Sequence, residues 1–143
     1  MTATTEESYL VPELTVTDIR ASLAFWVGLC GFSVRYSRPE EGFAYLQRGG
    51  IRVMLEQLIP GRNWVTGHLE PPLGRGMNLE MTVAESAPIL AALRGAGIAL
   101  YREPEEQWYR AGESETGVHQ FLVQDPDGYL LRFSQPLGSR PLA

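Results

Sequence analysis

The order strand, helix, strand, strand, strand occurs twice in this 143-residue chain, and a repeated plan of that kind restricts the fold more than any single motif does. The first copy opens with YLVPELTV, an extended run that Pro12 confines to an edge or a strand start. Asp18 is placed to cap a helix over IRASLAFWVGLCG, whose apolar residues Ile19, Leu23, Trp26, Val27 and Cys30 fall at helical spacing until Gly31 stops it. FSVRYSR, GFAYLQR and IRVMLEQL follow as β-rich pieces, with PEEG and RGG as the turns between them. In the second copy MNLEMTV is the strand, Ser86 caps APILAALRGAG, and Pro88 sits in the first helical turn, where its missing N–H costs little. IALYREPEEQWYR, VHQFLVQ and YLLRFSQ complete it. TVTD and TVAE occupy equivalent strand–helix junctions. The expected organisation is one domain over residues 1–143, with a first module at 8–58, a linker at 59–75 and a second module at 76–137.

Composition narrows the partners. Seventeen acids against twelve bases give a formal charge of -5, which disfavours nucleic acid, since phosphate binding needs a basic face. The same balance favours a cationic small molecule. A single cysteine, Cys30, cannot form an internal disulfide and fits a reducing compartment. MTATTEESYL lacks a basic n-region and an apolar h-region, and no apolar run approaches the ~20 residues of a membrane span. A cytoplasmic location without membrane attachment is therefore expected.

The valine-x-Asp junction before the first helix, SLAFWVGLCGF, and the closing DPDGY together resemble the vicinal-oxygen-chelate superfamily. That group includes glyoxalase I, extradiol dioxygenases, and bleomycin and fosfomycin resistance proteins. The resemblance runs from about Tyr9 to Leu137. It implies an α+β glyoxalase/bleomycin resistance-like fold, with paired βαβββ modules whose sheets curl around a cavity, and often a homodimer. It does not by itself imply a reaction, because one scaffold serves enzymes and binders alike.

Enzymes of the resembled superfamily hold a divalent metal through residues of the first and last strands of each module. The matching positions here are Val11, a residue at or next to Glu56, Asn78 and Arg132. Valine donates nothing, asparagine is a weak ligand, and a guanidinium is permanently cationic and cannot ligate. His68 and His119 match none of these positions. No GxSxG, CxxC or phosphate-cradling loop is present, and Cys30 lies on an apolar helix stripe. Neither a metal nor another cofactor is expected.

Strand alternation sets Met54, Glu56 and Leu58 against Ile51, Val53 and Leu55. It likewise sets Asn78, Glu80 and Thr82 against Met77, Leu79, Met81 and Val83, and Leu130, Arg132 and Ser134 against Leu131 and Phe133. By resemblance, the faces with Glu56, Asn78 and Arg132 line the cavity, and Glu56 is expected to pair with Arg132. Phe43 and Tyr45 share a strand face, Trp64 lies in the linker, and Trp108 and Tyr109 stand beside the acids of EPEEQWYR. Flat rings near carboxylates suit a planar cation through stacking and cation–π contact. The pattern is most similar to bleomycin resistance proteins, which sequester a cationic antibiotic in clefts at a dimer interface. The tryptophan that family carries before its DP strand is missing, with Gly117 near its place and Trp108 as a substitute from a neighbouring segment. The expected ligand-binding set is Glu56, Asn78, Glu80, Arg132, Phe43, Tyr45, Trp64, Trp108 and Tyr109. The competing expectation is a lyase, isomerase or dioxygenase of the same superfamily with an unusual metal set.

Overall fold

The computed structural model describes residues 8–143, and the chain divides into two units between Leu69 and Glu70. Each unit contains one open four-stranded sheet and one α-helix, an α+β arrangement.

The first unit comprises β1 (Glu13–Val16), α1 (Ile19–Trp26), β2 (Ser33–Arg38), β3 (Phe43–Arg48) and β4 (Ile51–Gln57), in sheet order β1-β4-β3-β2. Edge strand β1 runs parallel to β4, and the remaining pairs are antiparallel. Pro12 stands just before β1, where it has no ladder N–H to supply and its carbonyl accepts the Met54 N–H at 2.9 Å. Asp18 caps α1 as the sequence predicts, Oδ1 accepting from Arg20 N at 3.0 Å and Ala21 N at 3.4 Å. The helix is shorter than its apolar pattern suggests. Beyond Trp26 the winding loosens, the N–H groups of Leu29 and Cys30 both donating to Phe25 O. The buried stripe is also turned slightly, since Ser22, Phe25, Trp26 and Cys30 are buried while Ile19, Leu23 and Val27 are half-exposed. A serine on the core side carries no apolar signal, so hydrophobicity alone misplaces the stripe.

The second unit comprises β5 (Asn78–Thr82), α2 (Ala87–Gly95), β6 (Arg102–Ala111), β7 (Ser114–Gln124) and β8 (Leu130–Pro141), ordered β5-β8-β7-β6. Again the first strand is parallel to the last. Three strands outrun the sequence reading. β6 and β7 meet in a tight hairpin at Gly112–Glu113, and β8 continues to Pro141 rather than ending near Leu137. The run AGESETG hides this extension because its small and polar residues look like loop.

The repeat holds at the level of single hydrogen bonds. Val16 and Val83 are equivalent, and so are Gln57 and Gln135, one in each closing strand. Gln57 Oε1 accepts the N–H of Ile19 at 2.8 Å, and Gln135 Oε1 accepts that of Ser86 at 2.9 Å. Each glutamine thus satisfies a backbone donor at the start of its module's helix. In the second module this replaces the expected cap, for the Ser86 side chain makes no bond to its own helix. Its hydroxyl lies instead 3.3 Å from Gln135 Oε1 and 3.4 Å from His119 Nδ1.

Alternation then sorts the strands into a core face and an opposite face. Leu14, Val16, Leu46, Val53 and Leu55 fill the first core, and Met81, Phe121, Val123, Leu131 and Phe133 the second, all at most 3% exposed. No described helix is long and apolar enough to cross a membrane.

Candidate functional site

The faces opposite the two cores carry the chemistry, and each is described within its own unit. On the first sheet, register places Glu13 and Thr15 of β1 beside Met54 and Glu56 of β4. Phe43 and Tyr45 of β3 come next to Glu56 and Met54, and Tyr36 and Arg38 of β2 stand opposite Tyr45 and Phe43. Three rings therefore form one patch. Tyr36 and Tyr45 are stacked with centroids 5.0 Å apart and planes 20° from parallel, and Phe43 lies 6.1 Å from Tyr36. Phe43 and Tyr45 are buried, whereas Tyr36 is 47% exposed and offers an open ring.

Two carboxylates border the rings. Burial, and next the neighbouring Glu56 charge, hold the Glu13 carboxyl above the usual carboxylate range, with Arg38 opposing the shift. Glu56 is half-buried and accepts from Asn63 Nδ2 at 2.9 Å, an amide presented by the segment after β4. The aromatic patch already receives cations of its own chain. The Arg38 guanidinium sits 3.9 Å from the Phe43 centroid and Arg35 lies 5.6 Å from that of Tyr45. Arg38 is steered by Glu41 at 2.6 Å, which also raises its pKa further.

On the second sheet the same positions hold a polar network. Arg132 Nη2 pairs with Glu80 Oε2 at 3.2 Å, and Ser134 Oγ donates to the same oxygen at 3.3 Å. Gln120 Nε2 donates to Tyr109 Oη at 2.6 Å and to Glu105 Oε1 at 3.2 Å. Hydrogen bonds from Gln107 and Gln120 hold the Glu105 carboxyl below its usual range, aided by Arg102. Asn78 and Thr82 share this face but are exposed.

The sequence-predicted residues are therefore gathered unevenly. Glu56, Phe43 and Tyr45 come together on the first sheet, and Asn78, Glu80, Arg132 and Tyr109 on the second. The sequence reading pairs Glu56 with Arg132; in the structure Glu56 bonds Asn63 and Arg132 bonds Glu80, each within its own unit. Trp64 is 94% exposed in the linker. His68 and Asn63 help line an open linker cavity of about 500 Å³ with Leu58, Ile59 and Val65. Trp108 and Tyr109 are successive residues of β6, so they point to opposite faces. The Trp108 indole covers Gly117, where an added Cβ would lie 2.7 Å from the ring, and Arg140 stacks over it at 4.0 Å. It thus fills the space of a side chain at 117, but on the face away from Tyr109.

Sequence reasoning missed Glu13, Tyr36 and Gln120. Each was available from alternation. Leu14 and Val16 in the core force Glu13 outward from it, and Phe121 and Val123 do the same for Gln120. Tyr36 required the β2–β3 register, which a bulge near Arg35 disturbs.

The register also settles which residues match the metal-binding positions of the resembled enzymes. Glu56 is equivalent to Ser134, so the counterpart of Arg132 is Met54. The set becomes Val11 and Met54 in the first unit, and Asn78 and Arg132 in the second. A thioether, an amide, an alkyl group and a guanidinium already bonded to Glu80 do not suit a hard or borderline dication. Among the described residues no three His, Cys, Asp or Glu side chains are grouped to hold a metal. The Ser86–His119 contact makes no nucleophile–base pair either, because Ser86 is 2% exposed and bonded to Gln135.

Comparison with known proteins agrees with the architecture. The family model described as the glyoxalase/bleomycin resistance protein/dioxygenase superfamily matches residues 8–133. TioX from Micromonospora sp. ML1 is similar with a TM-score of 0.69 and 22% identity, covering 92% of this chain and all, 100%, of its own. The bleomycin resistance determinant encoded on transposon Tn5 gives a TM-score of 0.58 at 23% identity, covering 90% of this chain and 98% of its own. A member of the same superfamily from Vibrio splendidus 12B01 is 39% identical over 86% of this chain and 94% of its own, with a TM-score of 0.39. Comparison with curated proteins gave no match.

Proposed function

Since the chain belongs to the glyoxalase/bleomycin resistance protein/dioxygenase superfamily, we propose that it is a metal-independent binding protein that sequesters a planar aromatic cation. The observation that carries this reading is the first-sheet patch, in which Tyr36, Tyr45 and Phe43 stand beside Glu13 and Glu56. Ring faces attract cations through their quadrupole, and carboxylates nearby neutralise the charge that stacking alone leaves unpaired. The arginines already lying over Phe43 and Tyr45 support the cation preference. The net charge of -5 adds long-range attraction of the same sign.

The chemistry of the family's metal positions supports binding over catalysis, since Val11, Met54, Asn78 and Arg132 offer no metal-ligand set. By analogy with the bleomycin resistance proteins it resembles, we place the compound in a cleft of a homodimer in the cytoplasm. Sedimentation at micromolar concentration checks that part, and a monomer would remove the dimer cleft from the reading.

Isothermal titration with bleomycin and with proflavine, a planar aminoacridine cation, tests the function. At least one should bind with a Kd of roughly micromolar size, equivalent to about 8 kcal/mol. Tyr36→Ala and Glu56→Gln should each weaken it about tenfold, as loss of one stacking or charge contact does. Absence of heat with both compounds at about 100 times that concentration would remove the reading.

A further inference from the structure

Two buried polar atoms on the second sheet have no partner among the described residues. Gln120 is 3% exposed, and its Oε1 is shielded from water without a donor. Its orientation is fixed, because Nε2 donates to Tyr109 Oη and Glu105 Oε1, and a flipped amide would set its oxygen against that carboxylate. Arg132 uses Nη2 on Glu80, while its Nε is likewise shielded and unpartnered. Buried groups left in this condition are rare and costly, and they mark places where a partner belongs.

The two atoms belong to one face. Gln120 stands opposite Ser134 and Leu122 opposite Arg132, so Gln120 and Arg132 are diagonal neighbours on adjacent antiparallel strands. Diagonal pairs are about 7–8 Å apart at the backbone, which leaves room for one small group between their side chains. That group must offer a donor at one end and an acceptor at the other.

We propose that this face is a subsite for an uncharged carboxamide, whose N–H meets Gln120 Oε1 and whose carbonyl oxygen meets Arg132 Nε. Charge excludes the alternatives. A carboxylate would leave Gln120 Oε1 unmet, would approach Glu105, and would find the Arg132 charge already neutralised by Glu80. A cation would meet the guanidinium. Both would also lose their hydration in a place shielded from water, which a neutral amide survives best. The subsite deepens the proposed binding function by giving the second sheet its own share of a small molecule, and it uses none of the residues of the aromatic patch.

The test follows the side-chain signals of Gln120 Nε2 and Arg132 Nε by nitrogen-edited NMR while benzamide or benzoate is added. Benzamide should shift both signals saturably in the millimolar range, with benzoate at least about tenfold weaker. Gln120→Leu should weaken benzamide about tenfold, and so should Arg132→Lys, which keeps a charge opposite Glu80 but removes Nε. Should Gln120→Leu fail to fold, Arg132→Lys decides. Equal binding of benzoate, no effect of Arg132→Lys, or signals that benzamide leaves unmoved would each overturn the subsite. Proflavine added to the same samples separates the two readings. Binding of proflavine without benzamide sinks only the subsite, and the reverse sinks only the aromatic patch.

Discussion

The outward faces of the two sheets share strand order, register and the position of the capping glutamine, yet they treat their acids in opposite ways. On the first, Glu13 faces Glu56 beside aromatic rings, and burial with like-charge repulsion raises its pKa. On the second, Glu105 receives amide hydrogen bonds from Gln107 and Gln120, which lower its pKa. One face therefore has unsatisfied negative charge next to flat apolar surface, and the other has negative charge already answered by its own donors. The backbone plan fixes where side chains point; the residues that alternate into it decide whether a face seeks a cation or is complete in charge.

The largest expected effect concerns what the modules share. Leu55 and Phe133 are equivalent and fully buried, so Leu55→Ala and Phe133→Ala should each cost about 3–5 kcal/mol in denaturant unfolding. A cost below about 1 kcal/mol for either would show that the two cores are not built alike. Next come the glutamines. Gln57→Ala and Gln135→Ala should each cost about 1–2 kcal/mol, because a helix-start N–H loses its acceptor in both. A loss confined to one module would break the equivalence.

A comparable effect belongs to the second module alone. Gly117→Ala should destabilise by about 1–3 kcal/mol, since the new methyl meets the Trp108 indole. The cost should largely vanish in a Trp108→Ala background, and full additivity would mean that the ring does not lie on Gly117.

Much of this architecture is legible in the sequence, and the reason is physical. Two strand–helix junctions, TVTD and TVAE, start equivalent modules, and alternation of Val53 and Leu55 with Met54 and Glu56 reports which face is buried. What escapes is any feature that depends on a partner strand. Tyr36 joins the rings only through its register with Tyr45, and Met54 takes the place of Glu56 as counterpart of Arg132 only through pairing with β1. Trp108 and Tyr109 look like one aromatic cluster in a string, yet neighbours on a strand cannot share a face. Ser86 carries a capping residue's signature, but Gln135, 49 positions away, does the work.

The smallest effects are the most diagnostic of the contrast. Because Glu13 has a raised pKa, the folded protein holds its proton more tightly than the unfolded chain does, and stability falls as pH rises above the ordinary carboxylate range of about 4.5. Glu13→Gln should therefore raise Tm at pH 7 more than at pH 4. Glu105 has the opposite sign, its contribution being present above that range and lost as pH falls through its lowered pKa. Glu105→Gln should lower Tm at pH 7 and change it less at acid pH. Matching pH signatures for the two variants would erase the distinction between the faces.

Nuclear Overhauser contacts from bound proflavine to the protein's aromatic rings test the central claim most directly. The first-sheet site predicts contacts to Tyr36 and Tyr45, lost with binding in Tyr36→Ala. Contacts to Trp64 or Trp108 instead, or tight binding that survives Tyr36→Ala, would contradict it.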